Sequence, residues 1–402
     1  MQSHYKVLIL GGGTGGIAVA ARLSRKLAPQ SVGIVDPAQT HFYQPLWTLS
    51  GAGVISKEHS ARPLSKMIPS GVHWVQEPVS SIQPLEKRVI LKNQTVLTYD
   101  YLIVALGLRL AWEKVPGAQE ALGKKGVCTI YEYDQVDKTC DFLRQFKGGT
   151  AIFTMPPVPI KCAGAPQKIM YLADEIFRRN GVRDKSQIYF ATAGQAIFGI
   201  PTFAQALNQV AKRKDIQLWF QHQLVRVDAE NQQATFAITD PQGNISEKNV
   251  RFDLLHVVPP MAAPQVISQS ELAEPGGNQK DWLAVDQFTL QHKRFPEVFG
   301  LGDVTGIPNS KTGAAIRKQA PVVVSNLLAQ MEGRPLSARY DGYSSCPLVT
   351  QVGRVILAEF GYDGKLLPSF PVNPAKERWS MWILKRYLLP PMYWWAMMKG
   401  RA

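Results

Sequence analysis

The sequence predicts an α/β fold built on parallel sheets, and three features of the chain carry this prediction. Residues 5–10 (YKVLIL) form an almost continuous apolar run, which is typical of a buried parallel strand. A glycine-rich run (11–16), a helix and a second strand (32–35) follow it and complete a βαβ unit. Two later apolar runs, residues 100–107 and 298–303, predict further strands of the same sheet.

The glycine-rich run has the spacing G-x-G-x-x-G, and the helix after it is predicted to reach about Leu27. Glycines let a backbone approach a pyrophosphate, and the helix N-terminus offers it partial positive charge. Asp36, twenty positions after the last glycine, can hold a ribose hydroxyl. The sequence therefore predicts a dinucleotide site, with an ordinary tight turn as the alternative. Its candidate contacts in the run are Gly11, Gly13, Thr14, Gly15 and Gly16.

Composition describes a folded body of two or three domains. The 402 residues are 45% hydrophobic and 19% charged, and the formal net charge of +14 favours an anionic partner. Helix-turn-helix, zinc and RNA-binding signatures are absent, so we expect no nucleic-acid partner. Four cysteines without a C-x-x-C pair argue against a secreted disulfide scaffold and against a metal site. No apolar run reaches the roughly 18 residues that span a bilayer.

The order of these pieces resembles flavoproteins with two Rossmann-like dinucleotide-binding domains, of the glutathione-reductase-like type. The resemblance implies FAD in the first site. It also implies a discontinuous FAD-binding domain (1–111 and 290–345), a second Rossmann-like domain (112–289) and a C-terminal segment (346–402). Residues 79–82 and 88–92 predict an edge hairpin, and a helix is predicted from about residue 310 to 330. By analogy the further cofactor contacts are Gln44, Val79, Gly107, Asp303, Lys311, Thr312 and Gly313.

The second domain is expected to keep the fold without binding a nucleotide. Residues 187–191 predict its strand, but only Gly194 and Gly199 remain in the turn that follows. Bulky Ile197 and Phe198 stand where a pyrophosphate would lie. This argues against a nicotinamide cofactor as the electron donor.

Cys162 is the candidate reactive cysteine. It lies just before a predicted helix that Pro166 opens and that residues 180–181 (NG) close, with Lys161 beside it and Lys168 inside the helix. This positive surrounding favours a thiolate, the reactive form; a small buried hydrophobe is the alternative. Cys346 precedes a proline, which keeps its backbone extended.

Long motifs around both cysteines resemble the sulfide:quinone oxidoreductases, in the branch that includes the mitochondrial enzymes. They are HFYQPLWTLSGAG (41–53), CAGAPQKIMYL (162–172), LQHKRFPEVFGLGD (290–303), SKTGAA (310–315), DGYSSCPLVT (341–350) and KERWSMWILKRYLLPPMYWWAMMKG (376–400). The resemblance implies that Cys162 and Cys346 form a redox-active disulfide or trisulfide. Hydrosulfide would attack the outer Cys346, the inner Cys162 would become an anion beside the flavin, and quinone would reoxidise FAD. A small thiophilic acceptor would remove the sulfur, and Lys168 and Lys385 would attract the anionic substrate.

The remaining cysteines, Cys128 and Cys140, are expected to be structural, Cys140 within a helix at about 135–145. A different branch of the family uses a third cysteine in this stretch, so an accessory sulfur-carrying role for Cys128 is the alternative.

The C-terminal segment is expected to lie on a membrane. Residues 376–402 hold six Lys or Arg against one acid, and two prolines (390–391) are expected to divide them into two short helices. Candidate membrane or quinone contacts are Trp379, Trp382, Tyr387, Trp394 and Trp395. An ordinary core helix pair is the alternative. We expect a peripheral protein on an anionic surface, at the bacterial inner membrane or the matrix face of the mitochondrial one, and a homo-oligomer is compatible with the sequence.

Three other functions were weighed. A type II NADH:quinone oxidoreductase would need a second nucleotide fingerprint and no cysteine pair. A flavin-bound sulfide dehydrogenase would pass electrons to a cytochrome subunit, but the aromatic and basic C-terminus favours a quinone as the acceptor. A non-catalytic flavin sensor would need FAD but not the cysteines.

Overall fold

The computed structural model describes residues 2–402 and contains twenty-one strands and ten α-helices in that range. The strands are β1 (His4–Leu10), β2 (Val32–Val35), β3 (Thr40–Phe42), β4 (Ala61–Pro63), β5 (Val72–Val75), β6 (Val79–Gln83), β7 (Arg88–Leu91), β8 (Val96–Val104), β9 (Arg109–Leu110), β10 (Val127–Cys128), β11 (Gly149–Met155), β12 (Ser186–Thr192), β13 (Ile216–Trp219), β14 (His222–Asp228), β15 (Gln233–Thr239), β16 (Ile245–Arg251), β17 (Leu254–His256), β18 (Met261–Ala262), β19 (Val298–Gly300), β20 (Ser344–Gln351) and β21 (Arg354–Phe360). The helices are α1 (Thr14–Leu23), α2 (Trp47–Gly51), α3 (Ala118–Ala121), α4 (Val136–Gln145), α5 (Ala165–Arg179), α6 (Pro201–Arg213), α7 (Gln265–Ser268), α8 (Gly313–Met331), α9 (Trp379–Ile383) and α10 (Leu389–Pro391).

The first sheet has the strand order β5-β2-β1-β8-β7-β6, and β19 pairs with the last part of β8. Strands β5, β2, β1, β8 and β19 run parallel, whereas β6 and β7 form the antiparallel edge hairpin that the sequence predicts. Strand β1 is buried on both faces over its second half, which explains its unbroken apolar sequence. Helix α1 ends at Leu23, earlier than predicted, and a turn follows in which the N–H groups of Lys26 and Leu27 both donate to the Leu23 carbonyl.

The second sheet is all parallel, with the order β10-β17-β11-β12-β13. Its Rossmann-like pattern confirms the predicted α/β fold class. A three-stranded antiparallel sheet, β14-β15-β16, lies next to it in the chain. The domain bounds stay a prediction, and the expected division between residues 345 and 346 falls inside β20.

Strands β20 and β21 form an antiparallel hairpin that has two distinct faces. Cys346 lies opposite Ala358, whereas the neighbouring pairs are Ser345 opposite Glu359 and Pro347 opposite Leu357. Because side chains alternate between the faces of a strand, these two neighbouring pairs share the face that Cys346 does not use. Helix α8 packs against both α1 and β20 and so connects the hairpin with the first sheet.

The C-terminal segment corrects one prediction. Residues 379–399 form one helical run, in which π-helical turns (Leu384–Leu388 and Met392–Ala396) flank α10, so the two prolines do not divide it. A bond from the Leu389 N–H to the Leu384 carbonyl, five residues back, leads the first π-helical turn into α10.

Side-chain exposure separates the five aromatic residues that were predicted to meet a membrane. Trp379, Tyr387 and Trp395 are 63%, 55% and 61% exposed, but Trp382 and Trp394 are buried in the core. These two side chains therefore do not reach the surface that would meet a membrane, and their contact with a quinone stays a prediction. No helix within residues 2–402 is both long and apolar enough to cross a bilayer.

Candidate active site

One cavity of about 730 Å³ lies where the first sheet, α8 and the C-terminal helical run meet. That volume is in the range of cofactor pockets. Of the predicted cofactor contacts, all but Gly16 line it: Gly11, Gly13, Thr14, Gly15, Asp36, Gln44, Val79, Gly107, Asp303, Lys311, Thr312 and Gly313. Cys162, Lys168 and Lys385 line the same cavity. Cys346 does not line the cavity, and neither do the five aromatic residues predicted to contact a membrane or quinone.

The glycine-rich run has the close backbone geometry that a pyrophosphate site needs. A Cβ on Gly16 would stand 1.8 Å from the Gly11 carbonyl oxygen, so only glycine fits there. Gly13 faces open space, and the backbone N–H of Gly12 donates to Asp36 Oδ2 at 2.5 Å. The run and Asp36 therefore fit a dinucleotide cofactor, as the sequence predicts.

Opposite this run, the start of α8 closes the cavity. Thr312 caps the helix by accepting a hydrogen bond from the Ala315 N–H. Lys311 is buried, which lowers its pKa to about 8, and its Nζ donates to the Thr305 carbonyl at 2.8 Å. Burial also raises the pKa of Asp303 against the opposing effect of Lys311. Asp303 and Lys311 thus both lie on the cavity wall where cofactor contacts were predicted.

Two distant segments bring the predicted cysteines together. Cys162 lies three residues before α5 in a left-handed conformation (φ 50°), and its N–H donates to the Lys311 carbonyl at 2.9 Å. Cys346 lies in β20 and faces the same helix start, where its Sγ would be 2.5 Å from a Cβ on Gly164. The two Sγ atoms are 3.9 Å apart, although 184 residues separate them in sequence. An S–S bond is about 2.0 Å long and a chain of three sulfurs is bent, so the outer atoms of a trisulfide lie about 3.3 Å apart and the two Sγ atoms would approach by about 0.6 Å to be bridged by one sulfur.

Lys168 supplies the positive charge at the cysteine pair. Its buried Nζ lies 3.3 Å from Cys162 Sγ and 3.9 Å from Cys346 Sγ. The hydrogen bond from Cys346 and the ammonium of Lys168 hold the pKa of Cys162 well below its usual value. That same hydrogen bond and burial raise the pKa of Cys346. The pair therefore carries its negative charge on Cys162, the cysteine that borders the cavity.

Lys385 brings the C-terminal run to the same place. Its Nζ donates to the Pro45 carbonyl at 2.9 Å, and its side chain is buried. Burial and the nearby cation of Lys168 lower its pKa to about 7. Lys161 points away from the sulfurs and donates to Gln44 Oε1 at 2.9 Å.

The other two cysteines lie outside the site. Burial raises the pKa of Cys128 to about 12, and Cys140 is buried in α4. Neither position favours sulfur chemistry. In the second domain Ile197 and Phe198 are buried in the core at the turn after β12, and the loss of the nucleotide site there stays a prediction.

Sequence reasoning missed a hydrogen-bonded chain between the glycine-rich run and the C-terminus. Tyr393 is linked to Thr14 at 2.8 Å and to His41 Nε2 at 2.6 Å. His41 Nδ1 must donate to the Gly12 carbonyl (3.1 Å), so Nε2 accepts from the tyrosine. The motif at 41–53 contained His41, but nothing local assigns it a partner more than 350 residues away.

Known proteins that are similar in sequence or in fold identify the family of this chain. Residues 5–141 match the pyridine nucleotide-disulphide oxidoreductase family. The chain is 42% identical to the mitochondrial sulfide:quinone oxidoreductase of Mus musculus, over 99% of this chain and 87% of that protein. It is also 42% identical to the Dictyostelium discoideum enzyme of that name, over 100% and 87%.

A solved structure shows the same fold. The sulfide:quinone oxidoreductase of Aquifex aeolicus superposes with a TM-score of 0.79 at 18% identity, over 99% of this chain and 92% of that one. With two relatives above 40% identity over almost the whole chain, the family is established. The chain belongs to the sulfide:quinone oxidoreductase family of FAD-dependent enzymes.

Proposed function

We propose that this protein oxidises hydrogen sulfide at Cys162 and Cys346 and passes two electrons through FAD to a membrane quinone. The observation that carries the proposal is the approach of the two Sγ atoms, 3.9 Å apart beside Lys168, with Cys162 on the wall of a large cavity. A non-catalytic flavin-binding protein would have no use for a buried ammonium between two thiols.

The sulfur steps follow from the charges at the pair. In the disulfide form of the pair, hydrosulfide attacks the Cys346 sulfur, which leaves a persulfide on Cys346 and a thiolate on Cys162. Cys162 is the better leaving group because its pKa is depressed, whereas that of Cys346 is raised. A thiophilic acceptor takes the outer sulfur from Cys346. The two cysteine sulfurs then re-form their bond and release two electrons.

Lysines provide the electrostatic part of the proposal. Lys168 stabilises the departing Cys162 thiolate and attracts anionic hydrosulfide, and Lys385 adds a second cation that titrates near neutral pH. The residues that would hold FAD are the glycine-rich run, Asp36 and the start of α8. When bound there, FAD supplies the two-electron acceptor for the sulfurs and the donor for the quinone.

The membrane part rests on the C-terminal run. Exposed Trp379, Tyr387 and Trp395 stand on a segment rich in Lys and Arg, and such a surface binds at an anionic lipid interface. Peripheral attachment would let a quinone enter from the bilayer. The face of the membrane and the sulfur acceptor belong to the proposal, and a small anionic thiol, sulfite or sulfide itself would serve as acceptor.

Anaerobic reduction of the bound flavin tests the function. Sulfide should bleach the flavin absorbance of the purified holoenzyme, and Cys162→Ser should slow the bleaching at least about 1000-fold because the redox sulfur is gone. Cys140→Ser, a buried cysteine outside the site, is the matched control and should bleach as the parent does. Bleaching by NADH but not by sulfide would contradict the proposal.

A further inference from the structure

At the end of the cavity away from the glycine-rich run, a hydrogen-bonded cluster lies on the β20–β21 hairpin. Tyr343 and Glu359 are 5% and 4% exposed, and the phenol donates to Glu359 Oε1 at 2.6 Å. Ser369 donates its hydroxyl to Oε1 at 2.6 Å and its N–H to Oε2 at 2.8 Å. The carboxyl group of Glu359 is therefore buried and accepts hydrogen bonds from two hydroxyls and one backbone N–H, all of which are neutral. Tyr343, Glu359 and Ser369 all line the cavity.

This cluster and the cysteine pair use opposite faces of the hairpin. Glu359 pairs with Ser345, and both lie on the face that lines the cavity, whereas Cys346 lies on the face that meets α5. Arg317 and Lys318 lie over the Tyr343 ring, so the carboxyl group of Glu359 does not stand alone at this end of the cavity.

The surroundings suit an apolar molecule with polar oxygens. Pro347, Leu357 and Phe370 line this end of the cavity, together with Leu384 and Leu389 of the C-terminal run. That run packs on β21 through α9 and carries the exposed tryptophans. A substrate dissolved in lipid would thus meet an apolar wall with one phenol and one carboxylate on it.

The cluster also connects the cavity with solvent. Ser369 is exposed, Glu359 is buried beside it, and Tyr343 lies on the other side of the carboxylate. Burial and the neighbouring Glu359 raise the pKa of Tyr343, so the phenol keeps its proton until an acceptor arrives. Arg317 donates to the phenol oxygen at 3.4 Å and faces the charge that would form when the proton leaves.

Resting on the proposed function, we infer that Tyr343 and Glu359 deliver a proton to the quinone during its reduction. A quinone needs two electrons and two protons to become a quinol. FAD, once bound and reduced, would supply both electrons and one proton, and Tyr343 would give the other proton to a quinone oxygen. Glu359 takes up a proton from water through Ser369 and passes it to the tyrosinate that Tyr343 has become. Tyr343 is the catalytic donor, and Glu359 acts through it.

Separate half-reactions test this inference in the holoenzyme. Anaerobically reduced Tyr343→Phe and Glu359→Gln are mixed with decylubiquinone or with ferricyanide, which takes electrons without a proton. Reoxidation by the quinone should slow about 100-fold in both variants, as the loss of a general acid predicts, while ferricyanide reoxidation stays within about twofold. Tyr362→Phe removes a phenol that donates to the Gln287 carbonyl outside the cavity, and should leave both reactions unchanged.

The outcomes separate this inference from the proposed function. Quinone reoxidation within about threefold of the parent in both variants would overturn the proton route. Slower sulfur transfer to a thiol with normal quinone reoxidation would overturn it too, because the cluster would then serve the sulfur acceptor. Reduction by dithionite allows the quinone step to be measured even if sulfide fails to bleach the parent enzyme. If Tyr343→Phe loses its flavin, Glu359→Gln decides alone, since it keeps the size of the side chain and one of its two acceptor oxygens.

Discussion

Lys168 is only 2% exposed, and a buried ammonium is costly in free energy unless a negative charge lies beside it. The cysteines supply this negative charge. Burial alone would lower the pKa of Lys168, but Cys162 and Cys346 raise it. The effect is mutual, since Lys168 lowers the pKa of Cys162. The lysine and the thiolate therefore stabilise each other's charged forms at this depth.

Replacing Lys168 should move the titration of Cys162. In a Cys346→Ala background, which removes the second thiol, Lys168→Gln should raise the pKa of Cys162. A depressed pKa means that thiolate is present at lower pH, so the variant should need a higher pH for the same rate of alkylation by iodoacetamide. Lys248→Gln is the control, because that lysine is exposed on β16 and lies outside the cavity. An unchanged profile, or one moved to lower pH, would show that Lys168 does not stabilise the thiolate.

At the scale of elements, the junction between β1 and α1 decides whether the cofactor site forms. Gly16 touches the Gly11 carbonyl so closely that helix α1 can approach β1 only without a side chain there. Tyr393 and His41 then tie this junction to the C-terminal run. The same contacts that shape the pyrophosphate loop therefore also hold the last helical segment in place.

A single methyl group should be enough to disrupt this junction. Gly16→Ala should lower the free energy of unfolding by about 3 kcal/mol and reduce the flavin content of the purified protein, because backbone must move to accept the Cβ. Gly199→Ala, which meets open space in the second domain, should change stability by less than about 0.5 kcal/mol. Urea unfolding and flavin absorbance measure both effects. Full flavin retention in Gly16→Ala would contradict the packing argument.

At the scale of the whole molecule, the exposed aromatic residues of the C-terminal run define a candidate lipid-binding surface. Replacing Trp379 and Trp395 together by Ser should weaken binding to vesicles of anionic phospholipid at least about 100-fold, since each large apolar side chain contributes about 2 kcal/mol. Phe288→Ser, at an exposed aromatic residue elsewhere, should bind as the parent does. Equal co-sedimentation of the double variant and the parent would place the lipid contact on another surface.

Local patterns determined much of this protein. The apolar runs of β1, β8 and β12, the glycine-rich junction, the start of α5 and the cap of α8 follow from periodicity and from residues whose backbone preferences act within a few positions. The chemistry at the cysteines came from long motifs that resemble a known family. Sequence spacing alone does not predict the distance in space between two cysteines that are 184 residues apart.

Only the tertiary structure decided which side chains meet. It brought Lys168 between two sulfurs, buried Trp382 and Trp394 while leaving Trp379 and Trp395 outside, and kept one helical run through two prolines. It also placed Tyr343 and Glu359 on the face of the hairpin opposite Cys346. These outcomes depend on packing between elements that are remote in sequence, and burial there sets the pKa values that local sequence cannot specify.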